Sequence, residues 1–130
     1  MAGCGKETPS YYELGAEDLE GKKYQSAIEN FELAIAEEKY EVEALRGEGI
    51  AYLKMGKYEE AQQALEKARD LAADSEKAMR ADILAYLAMV QYQRGDFEGS
   101  AATCDQMLDV KNSKEGYFLR GNGLSPSGSV

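Results

Sequence analysis

The apolar positions of this chain recur at a helical step. In the stretch ADILAYLAMVQYQRG, residues Ile83, Leu84, Leu87, Met89 and Val90 fall on more than one side of a helix, as expected where a helix packs against two neighbours. The same step elsewhere predicts six helices, near residues 10–20, 24–38, 42–55, 58–73, 76–94 and 97–110. Thr8-Pro9 reads as the first start signal, with Thr8 as N-cap and Pro9 at the first helical position. A longer period lies above this local one. GKKYQSAIENFELAI, from Gly21, aligns with MGKYEEAQQALEKAR, from Met55, so that Tyr24, Ala27, Phe31 and Ala34 map onto Tyr58, Ala61, Leu65 and Ala68 at a spacing of 34 residues. Gly15 and Gly49 keep that spacing, which puts the preceding helices in register too. A third copy, RGDFEGSAATCDQML, aligns Gly95 with Gly56 and Phe97 with Tyr58 at a spacing of 39, so five residues are added around AADSEKA.

These residues resemble the tetratricopeptide repeat, a 34-residue helix-turn-helix unit with a G-x-Y-x-x-A turn into its second helix. Each position has a physical reason. Gly56 and Gly95 are expected where a Cβ would clash in a sharp turn. Tyr24, Tyr58 and Phe97 are expected to fill the wedge between paired helices, while Ala27, Ala61 and Ser100 let those helices approach. The first copy departs by placing its glycine one position early, at Gly21. The third has Ser100 for alanine and Cys104 for the aromatic residue, and no copy ends in proline. The added residues before the third copy are expected to lengthen a helix or its loop.

The resemblance implies an all-α, right-handed α-solenoid of about three repeats, at residues 8–41, 42–75 and 81–114, following a tether at residues 1–7. After Asn112, NSKE reads as a capping box and FLRGNG echoes ALRGEG, so residues 115–130 carry a partial fourth helix and a tail. That helix either closes the array or is the start of a repeat cut from a longer one. Phe118 and Leu119 favour the second alternative, since they have the character of packing residues for a missing partner helix.

Composition narrows the function. A chain with 44% hydrophobic and 30% charged residues, and with proline only at Pro9 and Pro126, suits a helix-rich globular fold rather than a disordered one. No apolar run approaches the ~18 residues that span a bilayer. The net charge is −9, and ten acidic residues against four lysines up to Glu41 account for most of it. Without a basic stripe, such a surface repels phosphate backbones and argues against nucleic-acid binding. Histidine is absent, and Cys4 and Cys104 lie a hundred residues apart, which removes histidine triads, histidine metal sites and CxxC pairs. The pairs Glu37-Glu38 and Glu59-Glu60 read as solvated helix faces, and Cys104 as a small hydrophobe at a core position. No catalytic residue, metal or cofactor is expected, and the chain reads as a non-enzyme.

Binding is the better reading. In the family the first helix of each repeat lines a concave groove, and carrying its groove positions onto this chain gives Pro9, Tyr12, Ala16, Leu19 and Glu20, then Glu43, Arg46, Ile50, Leu53 and Lys54, then Asp82, Ala85, Met89, Tyr92 and Gln93. The resemblance thus implies a mostly apolar and aromatic groove with a basic spot at Arg46 and Lys54, suited to an extended peptide or a helix of a partner protein. Family members that clamp chaperone C-terminal tails use Lys and Asn where this chain has Tyr12 and Ala16, and Asn where it has Gly47, so such tails are disfavoured. The competing reading is a structural spacer or oligomerisation segment of a longer repeat protein.

Cys4 has no core to occupy. Its context, AGC before a small residue, matches the end of a bacterial lipobox, in which the cysteine becomes the lipidated first residue of the mature protein. MAGCGKE is therefore expected to begin at a cleaved signal peptide. This places the native protein outside the cytoplasm as a membrane-anchored lipoprotein, the alternative being a cytoplasmic protein with an incidental cysteine.

Overall fold

Ser10, rather than Thr8, starts the first helix. Its hydroxyl accepts the Glu13 N–H at 3.1 Å while its own N–H donates to Glu13 Oε1 at 2.9 Å, a reciprocal capping box. Thr8 loses this role because the residue three places on is Tyr11, which has no carboxylate to return the second bond. The computed structural model describes residues 8–112. The expected tether with Cys4, the capping box after its first residue, Asn112, which ends the last described helix, and the fourth-repeat segment with Phe118 and Leu119 lie outside the described residues.

Among the described residues six helices follow one another: α1 (Tyr11–Glu20), α2 (Tyr24–Ala36), α3 (Glu41–Lys54), α4 (Tyr58–Leu71), α5 (Lys77–Gln93) and α6 (Phe97–Asn112). All six expected helices form, their ends shifted by no more than two residues. The five added residues are shared out. Relative to the preceding unit, α4 gains one, its connection to α5 gains one, and α5 begins three earlier. Arg80 reaches back from α5 to donate to the carbonyls of Ala72 at 3.1 Å and Arg69 at 3.3 Å, satisfying the open C-terminus of α4.

The turns inside the three hairpins are alike. Lys22, Gly56 and Gly95 adopt φ of 62°, 79° and 85°. In each turn the next N–H bonds a carbonyl five residues back: Lys23 to Asp18 at 2.8 Å, Lys57 to Tyr52 at 2.9 Å and Asp96 to Gln91 at 2.9 Å. The glycines are needed for backbone rotation and not for room, since a Cβ at Gly56 or Gly95 would meet nothing within 4 Å. Nor does the first repeat use Gly21 for this purpose: Lys22 takes the left-handed position, at a conformational cost. Gly56→Ala should therefore lower stability by about 1 kcal/mol, and Lys22→Gly should raise it by up to about the same amount. Urea midpoints read both, and a Lys22→Gly midpoint at or below wild type would contradict the assignment.

The core runs along the array as two linked clusters. One holds Ala27, Phe31, Ala34 and Ala44; the other is centred on Leu45, Leu65, Ile83, Leu84, Leu87 and Val90. Phe31 and Leu65, one period apart, press on the glycines that are also one period apart. A Cβ at Gly15 would lie 2.6 Å from Phe31 Cδ1, and one at Gly49 2.6 Å from Leu65 Cγ. Phe31 is gripped from its other side as well, because a Cβ at Gly47 would lie 2.5 Å from its Cζ. In the third repeat the small partner is Ser100, whose hydroxyl donates to the Ala88 carbonyl at 2.9 Å, so the polar atom is satisfied where it is buried. Beside it, Thr103 Oγ1 bonds Gln91 Oε1 at 2.6 Å. Cys104 is only half-buried. Phe97 also departs from expectation: it is 60% exposed, unlike the half-buried Tyr24 and Tyr58. Tyr58 packs against the second core cluster, which includes Ile83, Leu84 and Leu87 of α5, whereas no described helix follows α6.

Candidate binding groove and outer cleft

Packing partners define the two faces of the array. Besides sequence neighbours, α1 touches α3 and α3 touches α5, while α2 and α4 do not touch each other and neither do α4 and α6. The first helices of the hairpins therefore gather on an inner face, and the second helices splay apart on an outer one.

On the inner face the expected residues separate into distinct environments. Pro9, Tyr12, Ala16 and Glu20 share a cleft of about 380 Å³ along α1. Tyr12 is half-buried, its ring 6.0 Å from Phe31 and 5.2 Å from Tyr40, and Leu19 packs on the same cluster. Asp82 and Ala85 line a second cleft, of about 440 Å³, between α5 and the end of α6. Met89 and Tyr92 stand exposed, at 47% and 62%, with Tyr92 meeting Phe97 edge-on at 5.0 Å.

Between these two regions α3 corrects the expectation. Ile50 is 6% exposed and belongs to the core, because α3 is covered by helices before and after it. Leu53 is half-buried against the same core, leaving Lys54 exposed. Arg46 is not a free basic spot: its guanidinium binds the Asp82 carboxylate on α5 through both Nε and Nη2, and lies 5.5 Å above the Tyr86 ring. The middle of the face is thus bridged by an ion pair and stacked on an aromatic ring, and the available apolar surface lies towards the two ends.

The outer face holds a feature that the carboxylate pairs did not announce. Where α2 and α4 part, α3 floors a cleft of about 490 Å³ lined by Ile35, Leu45 and Leu71 together with Glu32, Glu41, Glu48, Asp70 and Lys67. Glu48 is 6% exposed. Burial, then the hydrogen bond and the charge of Glu32, push its carboxyl up from the ordinary 4.5 to about 8, against a smaller opposing pull from Lys67. Tyr52, one turn further along α3, is raised too, first by burial and then by Glu48, Glu32 and Glu60. A sequence signal for Glu48 did exist. In the register of the three repeats its position is held by Leu14 and Leu87.

Among the described residues no group of His, Cys, Asp or Glu is placed to hold a metal ion, and no helix is long and apolar enough to cross a membrane. No curated protein matches the chain. A family model, the tetratricopeptide repeat, matches residues 46–114, which is more than half of the chain and takes in the second and third hairpins. The unmatched first hairpin is the one whose turn runs through Lys22 instead of glycine. With three stacked hairpins, a common turn and a repeated glycine-on-core contact, the chain belongs to the tetratricopeptide repeat family.

Proposed function

We propose that the protein is a non-enzymatic scaffold that binds an extended peptide or a helix of a partner protein along the inner face of α1, α3 and α5. Tetratricopeptide arrays are protein-interaction modules, and their stacked hairpins create extended concave surfaces for that purpose. The observation that carries the reading is the exposed Met89, Tyr92 and Phe97 group beside the inner face, since large apolar and aromatic side chains left open mark interaction surfaces. Tyr12 and Ala16 supply a second contact region on α1. Ile50 has no part in it. Met89→Glu with Tyr92→Glu should abolish capture of partners from a cell extract while leaving helicity and melting unchanged; capture equal to wild type would sink the proposal.

A second reading, a spacer or oligomerisation segment, draws on the open cleft between α5 and α6, where the exposed Ala78 and half-buried Met107 could meet a further unit. A mass in solution that stays monomeric at all concentrations would argue against it. For location we propose lipidation at Cys4 and anchoring outside the cytoplasm of a bacterium, supported by the AGC sequence. Lipid labelling of the full-length protein should disappear on Cys4→Ser.

A further inference from the structure

The outer cleft is the least economical feature of the fold. Glu48 occupies a position where a leucine would bury at no electrostatic penalty, as Leu87 does in the third repeat, while the first repeat holds the half-buried Leu14 there. Its hydrogen-bond partner is another carboxyl, Glu32 on α2, so an ionised Glu48 faces a second acid and not a donor. Lys67 on α4 lines the same cleft but makes no ion pair with either carboxylate among the described residues. What remains is an acidic point, with the buried Glu48 at its base, in a cleft lined by Ile35, Leu45 and Leu71 and open to solvent on the face opposite the inner groove.

We propose that this cleft is a second binding site, which takes a lysine side chain of a partner protein: Ile35, Leu45 and Leu71 cover its methylenes and the Glu48 and Glu32 carboxylates receive its ammonium. The fit is one of charge and shape. Four carboxyls line the cleft against a single amine, within a chain of net charge −9. Two carboxylates meeting at a point suit a compact ammonium with three donors better than a guanidinium, which needs a coplanar fork. The carboxyls are not grouped as the ligands of a metal ion. Entry of the ammonium displaces the proton that burial keeps on Glu48, so one positive charge replaces another and the buried Glu48 charge is not left unpaired. Binding therefore releases a proton to solvent and strengthens as pH rises towards 8, where Glu48 ionises without help.

The probe is Nα-acetyl-lysine methylamide, titrated into the full chain and followed by amide chemical shifts, with Nα-acetyl-norleucine methylamide as the neutral analogue and n-butylamine as a free amine. The lysine amide should shift Ile35, Leu45 and Leu71 saturably, with affinity increasing with pH. Glu48→Gln should weaken it by about tenfold or more, the loss of one charge-assisted contact. Glu48→Gln keeps a hydrogen-bond donor towards Glu32 and should stay folded; Glu48→Leu, which installs the residue of the other repeats, provides the second variant. The proposal is overturned if the norleucine amide binds equally, if either variant binds like wild type, or if no shift develops. Butylamine binding as tightly as the lysine amide would also overturn it, by reassigning the cleft to a free amine.

Discussion

Phe31→Ala is expected to cost about 3–5 kcal/mol, the usual loss for emptying a buried aromatic site. The ring is 1% exposed and fills the space between Gly15 on α1 and Gly47 on α3, two residues with no side chain to collapse into the void. The damage should also be local. Each hairpin packs only on its neighbours, and a loss at the first junction should release α1 and α2 while α5 and α6 stay folded. Residue-resolved hydrogen exchange would show protection falling in α1 and α2 first; a uniform fall over all six helices would show a single cooperative unit instead. The same contact can be overfilled. Gly47→Ala places a methyl 2.5 Å from the ring's original position and should cost about 1–3 kcal/mol. Adding Phe31→Leu to that variant should recover part of the loss, and strict additivity in the double mutant would show that the ring is not the cause.

The second large effect is on pH dependence. Glu48 has a folded-state value raised to about 8 against an ordinary 4.5, with burial as the first cause and Glu32 as the next. Below 4.5 both folded and unfolded chains carry the proton, and the contribution of neutral Glu48 is fully present. As pH rises, the unfolded chain ionises first while the folded chain keeps the proton, so stability is lost from 4.5 up to about 8 and then levels off. Lys67 from α4 opposes the effect; Glu32 from α2 reinforces it, and Glu41 and Asp70 add negative charge at the cleft. The loss should be on the order of 2–4 kcal/mol between the two ends of that window. Glu48→Gln retains the donor but cannot ionise, so the difference between wild type and variant should vanish near pH 4.5 and grow in favour of the variant towards pH 8. A difference independent of pH would mean that Glu48 ionises normally in the folded chain.

Much of the fold was legible in the residues themselves because its causes are local. Helical periodicity places all six helices, and the left-handed positions at Gly56 and Gly95 follow from short-range turn geometry. The 34-residue period carries packing information as well, since Phe31 on Gly15 and Leu65 on Gly49 are one contact used twice. Even Lys22 could be located, as the residue aligned one place after the offset Gly21.

The candidate sites were less legible because burial and pairing depend on helices that lie far away in sequence. Ile50 and Met89 both occupy inner positions of their helices, yet α3 has neighbours on both sides and encloses Ile50, while Met89 on α5 stays open. Arg46 became half of an ion pair because stacking set Asp82 against it across 36 residues of chain. Phe97 holds the position of Tyr58 in the repeat but has no described helix above it. Glu48 shows the division most clearly. Its sequence register marks it as the odd residue between two leucines. Only the splay of α2 from α4 over α3 makes it a buried carboxyl facing a cleft, because the dielectric around a side chain is set by whatever packs on it.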